Sequence, residues 1–303
     1  MEDAETRLED AVGGLRADLR ARYPVVIDTT QWSWMDGAIH VRGAVLVSAQ
    51  ALGYQKGISS ALELNLHDIP RPTVLTDRST HYTAVSWAQL QGTGSLDLFG
   101  SPDGDDLQTQ WKLSGWVRLF LNEPTRARVL LQLPDGTVGW SVREHLRPDT
   151  PAADPWSGVD HAPTNVVANS NVSLDVAAVL ARKRVGSPYL WGGNTTEAAD
   201  CSGFVQTVVH DASGVLLPKN TRDQMKCGVR VARDSIEPGD LLFVRGRKKN
   251  VMHVGLVLGA EGNDLSVIHS CLSRERVLEE TLDVFLERYR FTAARRVLRW
   301  RAP

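Results

Sequence analysis

Leu8, Val12, Leu15 and Leu19 recur every three or four residues, with Arg and Asp between them, so residues 6–22 are expected to form a helix with one apolar stripe. From Tyr23 the spacing changes to short alternating runs. Val25-Val26-Ile27, Ala38-Ile39-His40-Val41 and Ala44-Val45-Leu46-Val47 read as strands, with Asp36-Gly37 as a hairpin turn. Further strands are expected at 96–99, 115–119, 128–131 and 138–142, the last two joined by Pro134-Asp135-Gly136. Many short strands with frequent turns point to small β-barrels.

Pro148, Pro151, Pro155 and Pro163 then fall among Asp, Ala and Ser, the composition of a linker. Beyond it the two periods mix. Residues 173–184 and 201–212 are expected as helices, 241–244 as a strand after the Pro238-Gly239-Asp240 turn, and the segments around His253 and His269 as strands. A last helix at 282–289 and a last strand at 295–300 complete an α+β region. The expected organisation is a helix over 1–22, a β domain over 23–83, a second over 84–148, a linker over 149–167 and an α+β domain over 168–303.

A length of 303 residues suits two or three domains. Lys and Arg number 34 against 36 Asp and Glu, and this near-neutral balance argues against nucleic acid as a partner. No long apolar run suggests a membrane span. The start, Met1-Glu2-Asp3-Ala4-Glu5, is acidic where a secretory leader is basic and then apolar. A cytoplasmic protein is therefore expected, or one of the cell envelope if a leader has been removed. Three cysteines do not make a disulfide framework.

The chemistry concentrates at Asp200-Cys201-Ser202-Gly203-Phe204, between a glycine-containing loop and an apolar run at helical spacing. A cysteine at a helix N-terminus is placed for thiolate formation, and the amides there suit an oxyanion. A core cysteine would sit among apolar residues, unlike this one. His253 and His269 follow on strand-like segments. Alternation puts His253, Gly255 and Val257 on one face, and Gly255 removes bulk beside the imidazole. His269 can hold the far nitrogen of His253. Nucleophilic acyl transfer needs such a set: Cys201 as nucleophile, His253 as base, His269 as orienter. Cys201, Cys227 and Cys271 form no Cys-x-x-Cys pair, which argues against zinc, and the acyl-transfer mechanism needs no cofactor. The Arg245-Gly246-Arg247-Lys248-Lys249 run reads as a solvated loop.

Six ordered motifs resemble the NlpC/P60 superfamily of cell-wall cysteine peptidases. They are Pro188-Tyr189-Leu190-Trp191-Gly192-Gly193, Asp200 to Gln206, Leu217-Pro218 with Thr221 and Gln224, Pro238 to Phe243, His253-Val254-Gly255, and Ile268-His269-Ser270. Residues 84–148 resemble an SH3-like barrel through Asp135 to Val142, and 23–83 is a candidate for a second, divergent one. The resemblance implies a papain-like cysteine peptidase domain preceded by one or two small SH3-like β-barrels. It is nearest to the branch that cleaves γ-D-glutamyl–diamino acid bonds of murein peptides with a free N-terminal L-Ala, in peptidoglycan turnover or recycling. In that branch Tyr189, Asp200 and Ser202 would hold the L-Ala end, and Trp191 of the same loop is grouped with them as substrate-binding. The Tyr expected before the closing Gly-Trp is not matched, Thr137 and Val138 standing there. An acyltransferase or amidase on the same domain, and a non-catalytic cell-wall binding module, are the alternatives.

Overall fold

The computed structural model describes residues 2–22, 30–42, 44–45, 48–74, 86–121, 127–163, 166–247, 251–259 and 264–301. The expected strand Val25-Val26-Ile27, Leu46 and Val47, Lys248 and Lys249, and linker residues 164–165 lie outside them. The chain divides into two compact units, Met1–Val85 and Ser86–Pro303.

The first unit begins with the expected helix, α1 (Glu2–Arg22). A hairpin of β1 (Gln31–Met35) and β2 (Ala38–Arg42) follows, turning through Asp36-Gly37, both at positive φ. Next come β3 (Ala44–Val45), a second helix α2 (Ser48–Leu62) and β4 (Thr73–Val74), which pairs parallel to β3. The divergent barrel expected over 23–83 is not what the described residues form. Ala51, Tyr54 and Ile58 fall at helical spacing and are fully buried with Leu8, Ile39 and Val45. Burying that stripe against α1 selects a helix inside the expected β domain.

The second unit opens with seven strands: β5 (Ser86–Leu90), β6 (Ser95–Phe99), β7 (Leu107–Lys112), β8 (Trp116–Leu121), β9 (Arg128–Gln132), β10 (Val138–Val142) and β11 (Leu146–Asp149). They form one antiparallel sheet in the order β11-β5-β8-β9-β10-β6-β7. Its apolar face buries Leu96, Leu98, Val117 and Leu131. The outer strands β11 and β7 are not paired with each other, so the expected SH3-like barrel is an open sheet among the described residues. The expected linker is also held. Trp156 packs edge-on against Trp87 with ring centroids 5.0 Å apart, its indole N–H donates to the Trp116 carbonyl at 3.1 Å, and the Arg118 guanidinium lies over it at 4.7 Å.

The rest of this unit contains β12 (Ala168–Ser173), α3 (Leu174–Arg182), α4 (Cys201–Ser213), α5 (Thr221–Gln224), β13 (Val229–Val231), β14 (Leu241–Gly246), β15 (Met252–Gly259), β16 (Leu265–Cys271), β17 (Arg276–Thr281), α6 (Leu282–Arg288), β18 (Tyr289–Arg296) and β19 (Leu298–Arg301). Six strands make an antiparallel sheet, ordered β13-β18-β14-β15-β16-β17, while β12 and β19 pair in parallel beside it. Strand alternation sorts the core onto two faces. Phe243, Val254, Leu256 and Ile268 pack with Phe204, Val205 and Val208 of α4. Leu242, Val244, Val257 and Val267 pack with Phe285 of α6. A side chain such as Phe204 contributes about 1.5–3 kcal/mol on full burial, so these faces hold α4 and α6 firmly.

Candidate active site

Helix α4 starts at Cys201 because Asp200 caps it. The carboxylate Oδ1 accepts the Gly203 N–H at 2.7 Å and the Ser202 hydroxyl at 3.1 Å. Oδ2 accepts the Gly192 N–H at 3.0 Å and the Lys219 ammonium at 2.6 Å. Two bonds on each oxygen fill the acceptor positions of a carboxylate. Lys219 is itself buried, its side chain 3% exposed. Residue reading of the Leu217-Pro218 motif passed over this lysine. Its signal was a cation one residue beyond the apolar run Val215-Leu216-Leu217, after Pro218.

The Cys201 sulfur lies 3.9 Å from the Thr221 hydroxyl and meets the peptide N–H of Val254, the residue after His253. These are its resting contacts, and no hydrogen bond joins thiol and imidazole among the described residues. Apo catalytic pairs are commonly long and tighten with substrate. Gln224 Nε2 donates to the Ser202 and Pro218 carbonyls at 2.9 and 3.0 Å, pinning α5 against the first turn of α4. Burial pushes the Cys201 thiol up to about 11, and the charge of Asp200 adds to the rise. Lys219, the Val254 N–H and Thr221 offset this only in part. Burial thus opposes the thiolate that a helix N-terminus favours. A helix dipole contributes about 0.3–1 kcal/mol, less than the about 1.4 kcal/mol needed for each tenfold change in protonation.

The two histidines come from the neighbouring strands β15 and β16. His253 Nε2 and His269 Nδ1 are 2.8 Å apart, and His269 Nε2 lies 3.2 Å from Glu280 Oε1. Arg288 closes the row, its guanidinium 2.9 Å from Glu280 Oε2. The rings pack tightly: His253 stacks on Tyr289 at 5.0 Å, and His269 meets Phe285 edge-on at 4.9 Å. Gly255 fits between. A Cβ there would lie 2.5 Å from Val267 Cγ1 and 3.2 Å from His269 Cβ, so the bulk it removes admits the next strand. Burial, then the charges of His269 and Arg288, hold the His253 imidazole well below its ordinary 6.5. Burial also lowers His269, against an opposing pull from Glu280. Burial alone would raise Glu280, but the hydrogen bond from His269 and the nearby charges outweigh it, so the net direction is downward. Arg288 remains a cation while His269 is neutral, and it keeps Glu280 ionised. Glu280, Arg288 and Tyr289 escaped the sequence reading, which had no local motif to mark them.

Tyr189 is half-buried and within reach of the Cys201 charge, and Trp191, in the same glycine loop, is 61% exposed. Burial, then the Cys201 and Asp200 charges, push the Tyr189 phenol upward, so it stays a neutral hydroxyl. Ser202 is buried and spends its hydroxyl on Asp200. Cys271 touches Ser273 and Tyr289 oxygens at 3.4 and 3.5 Å. Its burial works against ionisation, yet these bonds and two peptide N–H groups bring the thiol below its usual value. The open sheet reaches the site twice. Gly192, at φ +76°, runs so close to Leu107 that a Cβ would lie 2.3 Å from that carbonyl oxygen. Asp135, from the Pro134-Asp135-Gly136 turn, accepts Gln206 Nε2 of α4 at 2.9 Å. Burial lifts the Asp135 carboxyl, with Thr137, Gln206 and Lys219 opposing.

Residues 186–296 match the profile of the NlpC/P60 family. Over 113 residues the chain is 34% identical to the probable endopeptidase NlpC of Escherichia coli (strain K12), a match spanning 37% of this chain and 70% of that protein. The chain belongs to the NlpC/P60 family. The Escherichia coli relative is named a probable endopeptidase. The chain is also 37% identical over 108 residues to the gamma-DL-glutamyl hydrolase of Bacillus subtilis (strain 168), covering 35% of this chain and 26% of that one. With the gamma-D-glutamyl-L-lysine dipeptidyl-peptidase of the same strain it shares 42% over 77 residues, covering 25% and 26%. The chain thus spans 26% of the length of each of these two Bacillus relatives. Every residue of the site from Tyr189 to Arg288 lies inside the NlpC/P60 match, whereas Leu107 and Asp135 lie outside it. No helix among the described residues is long and apolar enough to cross a membrane.

Proposed function

We propose that this chain hydrolyses the γ-D-glutamyl–diamino acid bond of murein peptides, in peptidoglycan turnover or recycling. The observation that carries the reading is the Cys201 sulfur held against the peptide of Val254, next to a buried neutral His253 backed by His269. As substrate arrives, the Cys201 proton passes to His253 and the sulfur attacks the γ-carbonyl carbon. Peptide N–H groups at the start of α4 stabilise the oxyanion in this reading. His253 then gives its proton to the leaving amine, and a thioester forms. Water, deprotonated by His253, hydrolyses it and restores the thiol. The names of the two Bacillus relatives support the γ-glutamyl bond class. Either the cytoplasm or the cell envelope suits such a substrate.

A free N-terminal L-Ala was expected because Asp200 adjoins the nucleophile. With Lys219, Ser202, Gly192 and Gly203 on its two oxygens, Asp200 has no acceptor position left for an ammonium. Recognition of the peptide end then falls to Tyr189 and Trp191, and blocked and free stems are expected to be cleaved at rates within about tenfold, or about 1.4 kcal/mol. Mass spectrometry on L-Ala-γ-D-Glu-diamino acid peptides, free and N-acetylated, tests both points. Release of L-Ala-D-Glu from the free peptide and of its acetylated form from the blocked one is the expected result. No cleavage of either by the full chain would sink the bond assignment. A preference for the free amine well beyond tenfold would return Asp200 to substrate binding.

A further inference from the structure

Four groups beyond the thiol stand in one row: His253, His269, Glu280 and Arg288. Resting on the cysteine-peptidase reading above, we propose that Glu280 is a positioning residue that fixes which ring nitrogen of His253 accepts the Cys201 proton. An ionised carboxylate only accepts hydrogen bonds, so His269 Nε2 must carry the hydrogen that faces Glu280 Oε1 at 3.2 Å. A neutral imidazole has one N–H, which leaves His269 Nδ1 as an acceptor. The partner 2.8 Å away, His253 Nε2, must then be the donor. His253 Nδ1 is left with its lone pair, and this is the atom that takes the proton. The step breaks one S–H bond and forms one N–H bond. The resulting imidazolium keeps its Nε2–H on His269, so the row needs no rearrangement as charge develops.

Without the carboxylate the row has a second solution. His269 could carry its hydrogen on Nδ1, His253 Nε2 would accept it, and His253 Nδ1 would already be protonated and useless as a base. The selection depends on strand register. His269 of β16 faces Leu278 of β17, so Glu280 is its diagonal neighbour on the same face, within reach of a long side chain. The charged and titratable groups around Glu280 come from four elements: His269 on β16, Arg274 in the turn before β17, Arg288 at the end of α6 and Tyr289 at the start of β18. Around His253 they are His269, Arg288 and Tyr289. Arg288 holds Glu280 ionised, and Glu280 in turn balances the cation beside two buried imidazoles.

The test uses the full chain and the variants Glu280→Gln and Glu280→Asp. Nitrogen-15 NMR of the resting wild-type protein should show Nε2–H tautomers at both His253 and His269. In Glu280→Gln a population of Nδ1–H is expected. With a γ-D-glutamyl peptide as substrate, Glu280→Gln should lower kcat about 10–100-fold, the range for groups that orient a reactive ligand from behind, with little change in KM. Its acid limb should move to lower pH, because the uncompensated Arg288 charge disfavours the imidazolium. Glu280→Asp should recover part of kcat. An Nδ1–H tautomer at His253 in the wild type would overturn the proposal. So would unchanged kcat and pH profile in Glu280→Gln, or a loss of kcat without any tautomer change. If the wild type turned over no murein peptide, the functional reading would fall, while the NMR result would still decide the tautomer.

Discussion

The nucleophile half and the base half of the site use the same device in different ways. Behind Cys201 stands Asp200 with the buried Lys219, and behind His253 and His269 stands Glu280 with Arg288. Asp200 acts on backbone, gathering the N–H groups of Gly192 and Gly203 and so placing the loop and the first turn of α4. Its charge works against ionisation of the thiol one residue away. Glu280 acts on a side chain, through the His269 ring. The first pair is made by a contiguous motif and a lysine 19 residues on, the second by a hairpin register and the end of a short helix. A carboxylate beside a reactive group is therefore not by itself a substrate ligand. What else bonds its oxygens decides.

The largest effect should come from removing either reactive group. Cys201→Ala and His253→Ala should each bring hydrolysis down to background, a fall of at least about a thousandfold, as for nucleophile and base in other acyl-transfer enzymes. An active Cys201→Ala protein would remove the nucleophile half altogether. Next, breaking the cations separates the two pairs by burial. Lys219→Met leaves Asp200 buried and uncompensated and should cost about 3–5 kcal/mol in urea unfolding. Arg288→Met should cost less, about 1–2 kcal/mol, because the Arg288 side chain is 27% exposed and Glu280 keeps His269. Equal costs, or a larger one at Arg288, would break the comparison.

A smaller effect is in pH. The imidazole of His253 is depressed well below 6.5, and only its neutral form is a base. The acid limb of kcat/KM should accordingly fall below pH 6.5 rather than at it. The unfolded chain binds a proton on this residue at higher pH than the folded one does. The stability it contributes is thus present above 6.5 and is lost as pH falls toward the depressed folded value. Since burial lifts Cys201 to about 11, alkylation of this cysteine, followed by peptide mass spectrometry, should still be rising between pH 8 and 10. A plateau near neutrality would show a thiolate–imidazolium pair. The smallest effect is expected at the sheet. Asp135→Ala removes one hydrogen bond from Gln206, which keeps the Leu217 carbonyl at 2.6 Å, so a loss of about 1–2 kcal/mol in stability and a modest change in kcat should result.

Much of the C-terminal region was legible because its signals are local. A capped helix start, a strand with alternating faces and a turn before a strand each lie within a few residues, and α4, β14, β15, β16 and α6 lie close to their expected places. The regions that departed from expectation depend on distant partners. Residues 48–62 read as neither helix nor strand until Ala51, Tyr54 and Ile58 met Leu8 and Ile39. Short strands with frequent turns suggested closure, which rests on pairing of the two outer strands and not on the strands themselves. The proline-rich stretch suggested a loose linker, yet Trp156 finds Trp87 and Arg118 across the sheet.

The order of residues along the chain determined that Cys201 begins a helix behind Asp200, and that His253 and His269 share a face with Val257 and Val267, because capping and strand alternation act over a few residues. Tertiary structure decided the burial of the thiol, the occupancy of Asp200 by Lys219 and the reach of Glu280 to His269. Those depend on burial and on distances between segments that are far apart in sequence, and electrostatic interactions in a poorly solvated interior follow such distances rather than the order of residues.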